Sequence, residues 1–186
     1  MKAMIALCCA AVASSAAVAQ PITYSFTGTG SGAVGLTDFE NFNFEIPLSG
    51  DFSSVFSTGP GLLRFETTSA TISIDGLLSD AVFNPTISLV ANNNSDILVF
   101  GNASTNQALI VMDNPEFVDY DLSAPFGPVT DTTPGATFQF VALSTTGGFV
   151  TLDEISTVTY NAVPTPAAAG LLAVGGLVAA RRRRSS

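Results

Sequence analysis

Histidine and tryptophan are absent from this 186-residue chain, and its only cysteines are the adjacent pair Cys8 and Cys9. Lysine occurs once, at Lys2, in the same N-terminal stretch. These gaps remove whole classes of chemistry. Without histidine there is no Ser-His-Asp triad, no Cys-His pair and no imidazole-bound zinc. Beyond the first two dozen residues there is no thiol for a disulfide or a metal, and no amine for a Schiff base. No Gly-Lys-Ser/Thr phosphate loop occurs, and no dinucleotide fingerprint opens a helix. Carboxylates remain. A glycosidase needs two at a separation of about 5–10 Å, and 15 acids offer many pairs. Sugar clefts are commonly lined by aromatic platforms, however, and here only Tyr24, Tyr120 and Tyr160 would supply a polar one. The residue inventory therefore points away from an enzyme, with a carboxylate-dependent glycoside hydrolase as the residual alternative.

Positive charge is equally scarce and lies at the ends. Apart from Lys2, the cations are Arg64 and the run Arg181, Arg182, Arg183 and Arg184. All 15 acids lie between Asp38 and Glu154, so the body from Gln20 to Ala162 sets one arginine against 15 acids, a side-chain charge of −14. Such a body repels nucleic acid and anionic headgroups and excludes a nucleic-acid role.

The N-terminus has a positive start, a short apolar run from Ala3 to Val12, and Ala17-Val18-Ala19 before Gln20-Pro21. That order is a secretory signal peptide with cleavage after Ala19, so residues 1–19 are a signal helix, and translocon and signal peptidase are the expected partners. The C-terminus has a second device. Val163-Pro164-Thr165-Pro166 precedes 14 uncharged residues, Ala167 to Ala180, and then the four arginines. As a helix, 14 residues span roughly 21 Å at about 1.5 Å each, short of the roughly 30 Å hydrocarbon layer. Snorkelling arginines and local thinning narrow that gap. The basic end favours a cytoplasmic C-terminus and an exported body.

Between these ends the chain reads as short strands. Ile22, Tyr24 and Phe26 alternate with hydroxyl residues, as do Ala70, Ile72 and Ile74, so each set shares one face. Phe42 to Ile46 repeats the period before Pro47, which predicts an edge or a bulge. Asp75-Gly76 predicts a tight turn. Thr86–Ala91 and Ile97–Phe100 flank the polar run Asn92–Asp96, and the unbroken apolar run Ala108–Met112 predicts a strand covered on both faces. Thr137–Leu143, Gly148–Leu152 and Ile155–Tyr160 complete the set. Gly28, Gly30, Gly32 and Gly35 predict a loose turn, Asp113–Pro134 an irregular segment, and Asn92–Ser95 and Asn102–Ser104 turns. About ten antiparallel strands make an all-β, jelly-roll-like sandwich over residues 20–160, followed by a sorting segment over 161–186 with a short transmembrane helix.

Within the irregular segment, Asp113, Glu116, Asp119 and Asp121 form the densest polar group. It reads first as a solvated acidic loop. As a ligand set its oxygens suit calcium, although the spacing is not that of a helix-loop-helix calcium loop. Asp38, Glu40 and Glu45 read as the exposed face of a strand.

The C-terminal ensemble resembles the PEP-CTERM family of bacterial exported surface proteins. Val163-Pro164-Thr165-Pro166 stands for that family's Val-Pro-Glu-Pro-like motif, with Thr165 where glutamate is usual, and Arg181–Arg184 match its basic end. The likeness covers about 24 residues. It implies recognition by an exosortase, a membrane protease-transpeptidase that cuts near the proline motif, and an association with exopolysaccharide or biofilm matrix. Tyr24 to Gly32, with Tyr120-Asp121-Leu122 and Gly127-Pro128, is similar to bodies joined to such tails and implies no activity. The expectation is a non-enzymatic, surface- or matrix-associated protein, with a carbohydrate-binding or adhesive module, calcium-assisted or not, as the alternative. Intact mass of the exported protein is expected to show an N-terminus at Gln20 and a C-terminus near Pro164–Pro166. Full-length protein dissolved in the cytosol would overturn the whole address.

Overall fold

Phenylalanine, valine, isoleucine and threonine, spaced at a period of two, fit the pleated, half-buried surface of a sheet better than a helix. The computed structural model describes residues 22–50, 54–132 and 141–164. Within them twelve strands form: β1 (Ile22–Val34), β2 (Thr37–Gly50), β3 (Val55–Gly59), β4 (Leu62–Glu66), β5 (Ser69–Ile74), β6 (Leu78–Val82), β7 (Ile87–Asn92), β8 (Ile97–Asn102), β9 (Gln107–Asp113), β10 (Phe126–Asp131), β11 (Leu143–Thr145) and β12 (Gly148–Pro164). The signal segment, Thr165–Ser186 and the expected strand residues Thr137–Phe140 lie outside the described residues.

The strands make two antiparallel sheets. The larger follows the order β10-β12-β1-β2-β5-β6, with β11 also on β12, and the smaller runs β3-β4-β7-β8-β9. Their apolar faces form one core. Tyr24 of β1 packs on Phe65 of β4 at 4.8 Å between ring centroids, and Phe26 on Phe100 of β8 at 5.4 Å. The body is thus a β-sandwich, as the alternation predicted. The two edges of the larger sheet also meet at one end. Phe83, just past β6, bridges Thr145 of β11, with Asn84 N–H donating to the Ser144 carbonyl at 2.9 Å and Thr146 N–H to the Val82 carbonyl at 2.9 Å.

Curling a sheet that far requires close strand approach and local extra twist, and the chain supplies both. Gly28, Gly30 and Gly32 do not form the loose turn that their spacing predicted. They lie inside β1, whose thirteen residues all pair with β12. A Cβ on Gly28 would sit 2.2 Å from the Thr157 carbonyl oxygen and 2.8 Å from the Phe44 ring. Only the absence of a side chain lets β1 and β12 approach there while Phe44, its cross-strand neighbour on β2, covers the gap. The turn itself is Gly35-Leu36.

Extra twist comes from bulges. The pairing steps from Thr29↔Thr157 to Gly30↔Ile155, and from Ser31↔Glu154 to Gly32↔Leu152, so Ser156 and Asp153 have no partner on β1. Core-facing residues of β12 therefore run Val150, Leu152, Ile155, Val158, Tyr160 and Ala162, spaced by three at each bulge. This broken period made one 17-residue strand look like two. Pro47 is neither at an edge nor at a bulge. It lies inside β2 opposite Ser25, and the β2–β5 ladder skips Ile46 and Pro47 without a change of register, the gap a residue without N–H leaves.

Other expectations hold. Leu109, Ile110, Val111 and Met112 are all buried, Asp75-Gly76 is a turn with Gly76 at φ +72°, and Asp38, Glu40 and Glu45 are exposed along β2. Gly28→Ala is expected to cost about 1–3 kcal/mol by overpacking, read as a lowered denaturant midpoint. Thr27→Ser, one position away and outward-facing, should stay within about 0.5 kcal/mol.

Candidate functional site

The chain's only three tyrosines gather in one place. Tyr24 on β1, Tyr160 on β12 and Tyr120 from the segment after β9 are all buried, and Phe117 is buried among them. A buried phenol must find a partner for its hydroxyl. Tyr120 and Tyr160 share a hydroxyl–hydroxyl hydrogen bond of 2.8 Å, and Tyr24 donates to the Leu122 carbonyl at 2.7 Å. Burial pushes all three phenols up from their ordinary range. At Tyr120 the hydrogen bond with Tyr160 pulls the other way, while the Tyr24 phenol and the Asp121 charge add to the rise; Asp121 adds to it at Tyr24, and the Tyr120 and Tyr24 phenols add to it at Tyr160.

These bonds decide the shape of the acidic segment. Asn114 accepts from the Glu116 N–H at 3.0 Å and caps a single 3-10 turn, Pro115–Phe117, which drives Phe117 inward. Asp119 turns the chain with φ +61°, so Tyr120 points into the core while Asp119 and Asp121 face solvent. Asp121 is occupied locally, accepting from Ser123 N–H at 2.9 Å and Ser123 Oγ at 2.6 Å. Asp113 ends β9, and its N–H donates to the buried Asp131 of β10 at 3.2 Å. The four residues named from sequence as calcium ligands are all exposed, and among their carboxylates that of Asp121 is engaged locally by Ser123. Among the described residues no three acidic side chains converge as a metal set. Part of the segment expected to be irregular is a strand, because Phe126, Val129, Thr130 and Asp131 pair with β12 around a bulge at Gly127-Pro128.

The proline motif starts inside the fold. Val163 pairs with Thr23 and Pro164 with Ile22 at the last rungs of β12, so Asn161–Pro164, expected to open the sorting segment, belong to the body's last strand. Thr165, Pro166, Arg181–Arg184 and the cleavage residues Ala17, Ala19 and Gln20 lie outside the described residues.

Two grooves mark the outer faces of the sandwich. On the smaller sheet, a groove of about 390 Å³ is floored by Leu62, Val90 and Val99 beside Arg64. Arg64 is committed internally. Its Nη2 donates to the Ala103 carbonyl, its Nη1 reaches Asn106 Oδ1 at 3.5 Å, and its Nε lies 3.6 Å from Glu66. The lone cation of the body thus ties β4 to the β8–β9 turn. The asparagines there serve turns as expected, with Asn102 accepting from Ser104 N–H at 2.9 Å and Asn92 from Asn94 N–H at 3.2 Å.

On the larger sheet, a groove of about 470 Å³ is lined by hydroxyls and acids. One rung crosses five strands as Thr130, Thr159, Thr27, Glu45 and Ser73, and a second runs Thr157, Thr29 and Asn43. Sequence reading missed this groove. Its only sequence sign was the outward threonines of Thr27-Gly28-Thr29 and Thr157-Val158-Thr159, which become a site only when β1 pairs with β12.

The tyrosine cluster makes an alkaline prediction. Its phenols are held neutral by the fold, so their contribution is complete below about pH 10, where free tyrosine ionises. It is lost as pH rises above that. Thermal midpoints are expected to be level from neutral pH to about 9 and to fall above 10, with phenolate absorbance appearing only as the chain unfolds. Tyr160→Phe, which strands the Tyr120 hydroxyl, should cost about 1–3 kcal/mol. Comparison with family models, with curated proteins and with solved structures returns no match for this chain.

Proposed function

We propose that this chain is an exported, surface- or matrix-associated protein without catalytic activity, delivered by the secretory route and sorted through its C-terminal segment. In this reading the signal helix is removed by signal peptidase. The segment after Pro164 enters the membrane as a short helix, where an exosortase-type enzyme reads the proline motif. The body then stands outside the cell, against the membrane or in the extracellular polysaccharide.

The observation that carries the reading is the end of the β1–β12 ladder. Ile22 and Pro164 are direct partners, so the signal-peptide side and the tail leave the sandwich side by side. A body held there has one end near the bilayer, while the Gly35-Leu36 turn lies at the far end of β1, about 40 Å along the strand at roughly 3.3 Å per residue. The body is paired as far as Pro164, so the proline motif begins on the last rung of the ladder. The charge of −14 supports the arrangement, because it keeps the faces of the body off an anionic bilayer. The missing nucleophile–base pairs support a non-enzymatic role.

Deleting Thr165–Ser186 cuts beyond the last paired residue and leaves the ladder whole. The truncated protein is expected in the medium, folded, while the full chain fractionates with membrane or matrix. Unchanged membrane association after that deletion would defeat the proposal.

A further inference from the structure

The geometry points to the hydroxyl-lined groove of the larger sheet as a binding site for a neutral polysaccharide strand. This deepens the matrix role proposed above and rests on it for the source of the ligand, though not for the chemistry.

The groove is built by the same features that curl the sheet. Gly28 and the unpartnered Ser156 bend β1 and β12 around it, so its walls, drawn from β12, β1, β2 and β5, form a bent surface rather than a flat one. Thr27 stands directly opposite Thr159, and Thr29 opposite Thr157. Neighbouring strands are about 4.8 Å apart, and successive outward residues about 6.6 Å. The threonines therefore present a small lattice of hydroxyl and methyl groups. A pyranose ring has the matching pattern, with equatorial hydroxyls around an apolar C–H face.

Side-chain occupancy separates this groove from the one beside Arg64. There the charged and amide side chains, Arg64, Asn102, Asn106 and Gln107, are engaged by bonds that hold the fold, and the two hydroxyls, of Thr58 and Ser88, stand apart from one another on β3 and β7. Here the hydroxyls of Thr27 and Thr157 and the carboxylate of Glu45 make no hydrogen bond or ion pair to another residue among those described. The neighbouring groups are arranged in a chain: Thr130 and Thr159 share a bond of 2.9 Å, Thr29 donates to Asn43 at 3.2 Å, and Asn43 donates to Asp75 at 2.9 Å. Each has remaining donor or acceptor capacity directed outward. Hydroxyls give and accept, and carboxylates accept twice, which is what a sugar hydroxyl asks of a protein.

Charge selects the class of glycan. Glu45 and Asp75 line the groove, no cation does, and the surrounding body is strongly acidic. A uronate or sulfated polymer is repelled, whereas a neutral chain is not. With no aromatic platform, single-site binding is weak, and retention in a matrix comes from many copies on one polymer.

The test is an amide-resolved NMR titration of the isotope-labelled full chain in mild detergent with cellohexaose, against a uronate hexamer as the charged counterpart. Cellohexaose is expected to shift amides of residues 27–29, 43–45 and 157–159, and the uronate to shift none. Thr27→Val with Thr159→Val keeps shape and removes two hydroxyls, and should weaken binding roughly tenfold or more. If that double variant loses its dispersed spectrum, the exposed Glu45→Gln carries the test, with roughly a threefold loss expected. No shift at millimolar cellohexaose, shifts centred beside Arg64, equal binding of the uronate, or unaltered binding by the variants would each overturn the site. Failure here leaves the fractionation result of the tail deletion untouched, so the two proposals fall separately.

Discussion

The antiparallel ladder between the first and last strands is the constraint on which the rest of the sandwich depends. Every residue of β1 pairs with β12, across as many as 142 residues of sequence from Ile22 to Pro164. These two strands also occupy the middle of the larger sheet, with β10 and β11 on one side and β2 on the other. Neither half of that sheet is complete until the C-terminal strand arrives. Such contacts come late, because loop-closure entropy must be met before a distant pairing returns anything. The same ladder draws the two ends of the body together at one pole of the sandwich.

Satisfaction of buried polar groups explains why the acidic segment is ordered. Residues 114–125 contain little regular structure, yet Phe117, Tyr120 and Leu122 are buried. The Tyr24 hydroxyl needs the Leu122 carbonyl, and Tyr160 and Tyr120 need each other. A buried phenol without such a partner carries a desolvation cost comparable to a lost hydrogen bond. The side chains that anchor the segment are thus the aromatic ones, and its acids lie on the rim because the rings have turned inward.

The two faces of the sandwich differ for a related reason. On the smaller sheet a single guanidinium reaches across strands and is consumed by a carbonyl, an amide and a carboxylate. On the larger sheet short hydroxyl side chains cannot reach far enough to satisfy one another fully, so part of their bonding capacity stays open to whatever lies in the groove. Curvature from Gly28 and the β12 bulges turns that open capacity into a concave surface.

By itself the chain's order of residues determined the local terms. The two-residue period assigned faces to β1 and β5; Asp75-Gly76 and the asparagine runs marked turns; and the absence of histidine, body lysine and body cysteine limited the chemistry. Each follows from properties a residue carries with it. Only the tertiary structure decided the rest. Gly28 to Gly32 read as a turn because a glycine in a strand interior makes sense only when another backbone is known to press against it. Pro47 read as an edge or a bulge because its tolerance inside β2 depends on which neighbour does without a hydrogen bond. Ile155 and Leu152 read as separate strands because a bulge is defined by the partner's register. The groove of threonines was invisible for the same reason: its walls come from β12, β1, β2 and β5, and residues far apart in the chain become neighbours only through strand pairing, which no local preference encodes.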